Sequence, residues 1–207
     1  TQKCVCLGMF GRPSMESSQG CGMRINWVVA DSTVVAPDVD INVIKDIASI
    51  WGSWRTWRGC STDNVVCNDA GKARELLKRN MNEMCNMYIP ESMYAELDRP
   101  KSVQLFGGQF TFEVNNQDEL IAMQLVSSQS DIVLLLGFDW TEKPESTDKL
   151  LAHRAHNYRK FVADAIRNNP DVQWVLVDHE GETMPELNNF DNLTQDTLEN
   201  VVELLSD

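Results

Sequence analysis

The amino-acid sequence predicts an α/β fold in which helices cover both faces of a mostly parallel β-sheet. Two observations carry this prediction. At least four strand-like runs are each followed by a turn and a helical pattern, which is the order of elements that builds parallel sheets. The run Asp131–Asp139 is apolar almost throughout, as expected for a strand buried between two helix layers.

Apolar periodicity places the individual elements. Strands are expected at Lys3–Leu7, Ile25–Ala30, Val65–Cys67, Met87–Ile89, Ser102–Phe106, Phe110–Val114, Asp131–Asp139 and Val172–Val177. Helices are expected at Val43–Trp57, Ala70–Lys78, Glu91–Leu97, Asp118–Ser128, Thr147–Asn168 and Leu193–Leu205. No linker or repeat interrupts this order, so residues 1–207 are expected to form one α/β domain.

Composition excludes several protein classes. The 207 residues include 31 Asp and Glu against 18 Lys and Arg, for a formal net charge of −13, and 43% of the residues are hydrophobic. That hydrophobic fraction is too high for a disordered chain. No apolar run reaches the roughly 18 residues that a membrane-spanning helix needs, so no membrane partner is expected. The negative charge disfavours nucleic-acid binding and leaves a small phosphate-bearing ligand acceptable.

The six cysteines are expected to be reduced thiols. Cys4 and Cys67 lie in apolar strand-like runs, and no secretory signal pattern precedes them. The spacing Cys4-x-Cys6 also differs from the paired Cys-x-x-Cys of a structural zinc site. A cytoplasmic location is therefore expected.

Residues that follow the predicted strands are the candidate site residues, because ligands of open parallel sheets bind outside the carboxyl ends of the strands. The candidate ligand-binding residues are Gly8, Gly11, Arg12, Ser14, Ser32, Asn68, Asp69, Gly107, Gly108, Trp140 and Asp178. The candidate catalytic residues are Asp31, Asp139 and His179.

Four aspartates among these strand-end positions suggest a possible metal site. They are Asp31, Asp69, Asp139 and Asp178. Aspartate often caps helices and closes turns, so a purely structural role is the alternative at each position. If the four approach one another, a metal ion, protonation or a cationic ligand must relieve their repulsion. Mg²⁺ is the candidate cofactor, because it prefers oxygen ligands and accompanies phosphate substrates.

The segment Gly8–Ser14 has the residues of an anion-binding loop. Its glycines let backbone N–H groups approach an anion, and Arg12 and Ser14 add further donors. The segment matches neither the dinucleotide fingerprint nor the Walker phosphate loop. A plain surface loop remains the alternative.

Three tryptophans, Trp51, Trp54 and Trp57, recur every third residue with Arg55 and Arg58 beside them. Core packing or a subunit interface is favoured over stacking on a sugar or a base. A homo-oligomer formed through the Trp51–Trp57 segment is therefore one expected partner arrangement.

Three segments, in chain order, resemble a known family. Leu7–Ser14 is similar to a Gly-x-Gly-Pro-Ser loop, Ile25–Ser32 to the strand that follows it, and Leu134–Trp140 to a Leu-x-Gly-Phe-Asp strand. These are motifs of the sialyltransferase-like and motility-accessory-factor-like group of Rossmann-type proteins. The resemblance implies a Rossmann-like three-layer sandwich that binds a nucleotide or nucleotide sugar.

The resemblance also implies roles for individual residues. Gly8, Gly11 and Ser14 would contact phosphate, and Asp31 or Asp139 would lie near the sugar. The implied activity is glycosyl transfer, with a His or Asp side chain deprotonating the acceptor hydroxyl. Two alternatives stay open: a Mg²⁺-dependent phosphoryl-transfer or phosphodiester-cleaving enzyme using the strand-end carboxylates, and a non-catalytic assembly protein on the same scaffold.

Overall fold

The computed structural model describes residues 23–30, 41–59, 62–107, 117–138, 149–177 and 189–206. Within them lies an eight-stranded sheet in which all neighbouring strands are parallel. The strands are β1 (Ile25–Val29), β2 (Ser49–Ser53), β3 (Asn64–Val66), β4 (Asn86–Pro90), β5 (Val103–Phe106), β6 (Ile132–Leu136), β7 (Gln173–Val177) and β8 (Leu193–Asp196). The predicted α/β class is confirmed.

Eight helices accompany the sheet in the described ranges. They are α1 (Ile41–Ile47), α2 (Trp54–Gly59), α3 (Ala70–Lys78), α4 (Met81–Met84), α5 (Glu91–Tyr94), α6 (Gln117–Ser127), α7 (Lys149–Arg167) and α8 (Leu198–Ser206). None of these helices is both long enough and apolar enough to cross a membrane.

The sheet grows outward from β1 in two directions. The strand order is β5-β4-β3-β2-β1-β6-β7-β8. Strands β2 to β5 therefore extend to one side of β1, after which the chain returns and places β6 against the other side of β1. This reversal makes the β1–β6 pair the topological switch point of a doubly wound, Rossmann-like sheet.

Helices α6 and α7 cover what we call the first face of the sheet. Alternate strand residues point to this face, because successive side chains of a strand lie on opposite sides. The strand side of this core includes Val28, Trp51, Val66, Leu135 and Trp174, and the helix side includes Leu120, Met123, Val162 and Ile166. The longest described helix thus packs beside α6 over the middle of the sheet.

The opposite, second face carries the remaining helices in two apolar clusters. One joins α1 and α8 to the centre of the sheet, through Trp27, Ile44, Ile50, Leu134 and Val201. The other joins α3, α4 and α5 to its β3–β5 side, through Val65, Leu76, Met81, Met87 and Met93. Helix layers on both faces of one sheet give the predicted three-layer sandwich.

The predicted helix at Val43–Trp57 is wrong. The structure divides this segment into α1, β2 and α2. Ile50 lies in the second-face core and Trp51 in the first-face core, as expected of neighbours on a strand. Only Ala48 separates α1 from β2, and α2 begins directly after β2. No Gly-Pro or Asn-Gly turn therefore marks either boundary.

The predicted helix at Leu193–Leu205 is wrong at its beginning. Its first residues form β8, and the helix starts only at Leu198. The Thr197 hydroxyl accepts a hydrogen bond from the backbone N–H of Asn200 at 3.2 Å, which is an N-terminal cap. The short α4 was not predicted. The other described elements lie at their predicted segments, whereas Lys3–Leu7 and Phe110–Val114 lie outside the described residues.

An ion pair joins the segments that lead into β1 and β6. Arg24 Nη2 lies 2.8 Å from Asp131 Oδ1, and the backbone N–H of Arg24 donates to Asp131 Oδ2 at 2.8 Å. The hydrogen bond from the Arg24 side chain, followed by the one from its backbone, lowers the pKa of Asp131 to about 2.

We expect the Asp131 carboxyl to titrate at about 2 in the native protein, below its ordinary value of 3.8. Because the folded pKa is the lower one, the pair stabilises the fold above the ordinary value, and this contribution is lost as the pH falls toward 2. A carboxyl ¹³C NMR titration measures the midpoint. Arg24→Met should return it toward 3.8, and an unshifted midpoint in the unmodified protein would contradict the assignment.

Candidate ligand site at the carboxyl edge of the sheet

The carboxyl ends of β1 and β6 define the centre of the candidate site. The two strands stay paired to their ends, where Ala30 N donates to Leu136 O at 2.9 Å. Beyond this point β1 leads toward α1 on the second face, whereas β6 leads toward α7 on the first face. Connections that leave in opposite directions create a crevice outside the strand ends.

Strand β6 ends in a sharp change of direction at Gly137. Its φ of 73° lies in the left-handed region, which glycine adopts without steric cost. The next side chain, Phe138, is buried in the first-face core. The chain therefore leaves the switch strand by a glycine turn and closes the apolar core directly beneath the crevice.

The first turn of α6 is attached to the end of β3. The backbone N–H of Asn68 donates to Asp118 Oδ1 at 2.9 Å, and Asn68 Nδ2 donates to Gln117 Oε1 at 3.0 Å. Asn68, a candidate ligand-binding residue, therefore joins a strand end to a helix on the first face. Its partners were not predicted as site residues, because 49 and 50 residues separate them from Asn68.

The same turn of α6 is attached to α7 through a buried carboxyl group. Glu119 is fully buried, and its Oε2 accepts a hydrogen bond from the Tyr158 hydroxyl at 2.7 Å. A buried polar group needs such a partner to offset the loss of water. Asn68, α6 and α7 are thus connected in one hydrogen-bonded corner near the crevice.

Helix α7 extends past this corner and forms one side of the crevice. Tyr158 is nine residues after Lys149, so about 13 Å of α7 precedes the Glu119 contact and extends toward the carboxyl edge of the sheet. The first turn of α7 contains no acidic residue, whereas that of α6 contains Asp118 and Glu119. The positive end of a helix dipole favours anions, so its two carboxylates make the start of α6 unfavourable for a phosphate.

Of the predicted site residues, Asn68, Asp69 and Gly107 lie in the described ranges. Asp69 caps α3, with its Oδ1 accepting from Lys72 N at 2.8 Å. Asn68 and Asp69 follow β3, two strands from β1, and Gly107 follows the edge strand β5. At about 4.8 Å per strand, Asn68 and Asp69 lie roughly 10 Å from β1 and Gly107 roughly 19 Å, so none of the three lies directly at the β1–β6 crevice.

The other predicted site residues lie outside the described residues. They are Gly8, Gly11, Arg12, Ser14, Asp31, Ser32, Gly108, Asp139, Trp140, Asp178 and His179. Three of them, Asp31, Asp139 and Asp178, come two, three and one residues after the last residues of β1, β6 and β7, which are adjacent in the sheet. Their catalytic, ligand and metal roles stay predictions. Within the described ranges, no group of three or more His, Cys, Asp or Glu side chains is arranged to hold a metal.

Cys67 lies close to this edge, and its thiol is buried. Burial, followed by the nearby Asp118 carboxylate, raises the pKa of its thiol to about 12. A thiol must ionise to attack a substrate, so the raised pKa disfavours a nucleophilic role for Cys67 near neutral pH. Cys67 and Cys85 are both free, as expected, and the other four cysteines lie outside the described residues.

Only part of the tryptophan-rich segment Trp51–Trp57 lies in the core. Trp51 is 2% exposed and packs against Tyr88, with ring centroids 4.8 Å apart. Its indole N–H donates to Asn26 Oδ1 at 3.3 Å. Core packing is therefore confirmed for Trp51, which is not accessible to a partner. Trp54 is half-buried, and a homo-oligomer through the rest of the segment stays a prediction.

Comparisons of the chain with protein-family models, with curated proteins and with solved structures found no match. The resemblance to the sialyltransferase-like group therefore rests on its short motifs. The strand order and the chemistry at the carboxyl edge are the independent basis for a functional proposal.

Proposed function

We propose that this protein binds a nucleotide or nucleotide sugar in the crevice outside the carboxyl ends of β1 and β6. The observation that carries the proposal is the strand order, which reverses between these two strands. In open α/β sheets the ligand occupies the crevice at such a reversal. A small anionic ligand is also compatible with a chain of net charge −13, because one binding site needs only a local positive potential.

The start of α7 supports a phosphate at this crevice. The helix follows the switch strand β6, and its first turn has Lys149 and no carboxylate, although Asp148 directly precedes it in the chain. Backbone N–H groups at the start of a helix have no partner within the helix and favour an anion. The competing start of α6 has Asp118 bonded to Asn68 and Glu119 bonded to Tyr158, so its acidic first turn disfavours a phosphate.

Strand-end aspartates support a polar site around the rest of the ligand. Asp31, Asp139 and Asp178 come within three residues of the ends of three adjacent strands, whose neighbouring backbones are about 4.8 Å apart. Carboxylates at such positions accept hydrogen bonds from sugar hydroxyls. His179, next to Asp178 in the chain, is a further proton acceptor.

The family resemblance suggests that the protein is an enzyme and that its reaction is glycosyl transfer. The acceptor oxygen bonds to the anomeric carbon of the sugar, while the bond from that carbon to the donor phosphate breaks. The nucleotide leaves with the bonding electrons, and Asp31, Asp139 or His179 takes the acceptor proton.

A Mg²⁺-dependent phosphoryl-transfer or phosphodiester-cleaving enzyme is the second candidate. It is favoured by the same three aspartates after adjacent strands, because oxygen ligands close together bind Mg²⁺. The metal would neutralise charge on a transferring phosphate. The two candidates differ in what binds first: a nucleotide without metal, or the metal itself.

Thermal unfolding with added ligands tests the proposal. Uridine, cytidine, adenosine and guanosine are compared with their mono- and diphosphates and with nucleotide sugars, each with Mg²⁺ and with EDTA. A ligand at 100 times its Kd adds about 2.7 kcal/mol, which for a chain of this size raises Tm by roughly 5 to 10 °C. We expect this shift from a nucleotide in EDTA.

Variants at the crevice identify the site. Asp139→Asn and Asp178→Asn should reduce the nucleotide-dependent shift, whereas Asp164→Asn near the far end of α7 should leave it unchanged. Stabilisation by Mg²⁺ alone would support the second candidate instead. The proposal is wrong if neither nucleotides nor nucleotide sugars change Tm under either condition.

A further inference from the structure

Two cationic side chains from neighbouring strand ends each lie over one indole ring. Trp54 directly follows β2, and Lys72 lies in the first turn of α3, after β3. Lys72 Nζ is 5.0 Å from the Trp54 ring centroid, and Arg55 Cζ is 5.7 Å from it. Attraction to the ring holds both charged groups in place. We call Trp54, Arg55 and Lys72 the Trp54 patch.

Asp69 and Asp118, two carboxylates near Cys67 at this edge, are used by main-chain groups. Asp69 Oδ1 accepts from the backbone N–H of Lys72 at 2.8 Å, and Asp118 Oδ1 accepts from Asn68 N at 2.9 Å. Across the described ranges, the Lys72 ammonium forms no ion pair or hydrogen bond; its contact is with the Trp54 ring. Its three N–H donors are therefore available to an anionic group of a ligand.

The patch lies within reach of the crevice along the same edge of the sheet. Strand β2 is next to β1, and β3 is next to β2. At about 4.8 Å between neighbouring strands, the ends of β2 and β3 are roughly 5 to 10 Å from β1. The patch is on the side of β1 opposite β6, so a ligand seated over β1 and β6 and extended across β1 would reach it.

We propose that the Trp54 patch binds a second anionic group, a phosphate or a carboxylate, of the ligand that occupies the crevice. The proposal rests on the proposed function. It adds that the part of the ligand farthest from β6 carries a second negative charge. The Lys72 ammonium donates hydrogen bonds to the anionic oxygens, and the Arg55 guanidinium adds positive charge. Each cation is held against the Trp54 ring before the ligand arrives, which lowers the entropy cost of binding.

An NMR titration of the full chain tests this patch without knowledge of the natural ligand. Inorganic pyrophosphate and succinate are the two probes, representing phosphate and carboxylate. The readout is the indole N–H signal of Trp54, identified by its disappearance in Trp54→Phe. We expect a saturable shift of this signal with at least one probe, and the tighter probe identifies the anionic group.

Matched lysine variants assign the effect to Lys72. Lys72→Met should weaken binding of the effective probe about tenfold, the loss that one charge-assisted hydrogen bond accounts for. Lys78→Met removes the same charge from the last turn of the same helix and should change the affinity by less than twofold. Lys72→Arg should restore most of the binding, which distinguishes a missing cation from a damaged fold.

The outcomes separate this proposal from the proposed function. If nucleotides raise Tm but neither probe shifts Trp54, or if Lys72→Met and Lys78→Met weaken binding equally, the patch proposal is overturned and nucleotide binding stands. If a probe binds in a Lys72-dependent way and no nucleotide changes Tm, the patch stands and the proposed function fails.

Discussion

Replacing Glu119 by alanine is expected to lower the free energy of unfolding by about 3 kcal/mol. The side chain is fully buried between α6 and α7, and its carboxyl oxygen accepts the Tyr158 hydroxyl at 2.7 Å. Truncation removes this acceptor from the partly buried phenol and leaves an unfilled space in a close-packed core. Urea unfolding followed by circular dichroism measures the loss.

A double-mutant cycle isolates the contact between the two side chains. Glu119→Gln keeps the size of the side chain and one carbonyl acceptor, and Tyr158→Phe removes only the hydroxyl. We expect a coupling energy of about 1 kcal/mol between these changes. Losses that add to within roughly 0.3 kcal/mol would mean that the Tyr158 hydrogen bond does not stabilise the corner.

Replacing Gly52 by alanine is expected to destabilise the protein by about 2 kcal/mol. A Cβ atom at Gly52 would lie 2.8 Å from both Cβ and Cγ2 of Thr56. Thr56 cannot move away freely, because its buried hydroxyl donates to Val29 O at 3.2 Å. The added methyl group therefore forces the end of β2 and the start of α2 apart.

Gly107→Ala is the matched control for Gly52→Ala. A Cβ atom at Gly107 would meet no described residue within 4 Å, so the free energy of unfolding of Gly107→Ala should differ from that of the unmodified protein by less than about 0.5 kcal/mol. Both variants are compared by urea unfolding under the same conditions. Equal stability of the two variants would show that the Thr56 contact relaxes without cost.

Much of the fold was predictable because apolar residues recur with different periods in helices and in strands, and turn residues mark the boundaries of many of these elements. Helix α3 lies at the predicted Ala70–Lys78, after Asp69, and β6 lies within the predicted apolar run. Strand β2 was missed because it is five residues long, it adjoins helices on both sides, and Trp51 and Trp54 have helical spacing. Strand β8 was missed because it is short and polar beside an apolar helix.

The candidate site was less predictable, because local sequence does not determine the order of strands in the sheet. The rule that ligands bind at strand ends correctly directed attention to the carboxyl edge. It treated all strand ends alike, whereas the sheet separates Asn68, Asp69 and Gly107 from the switch point. The Glu119–Tyr158 pair and the Trp54 patch depend on contacts between elements, so no single sequence window contains them.

The position of β1 in the sheet also determines when the protein can complete its fold. One edge of β1 pairs with β2, which follows it closely in the chain, but the other edge can pair only after β6 has been synthesised. The separation is long: Arg24 and its partner Asp131 are 107 residues apart. During synthesis this second edge stays open for on the order of ten seconds, the time a ribosome needs to add those residues. An open apolar strand edge recruits other chains. The strand that borders the proposed ligand crevice is therefore also a part of the nascent chain that is exposed to aggregation during synthesis.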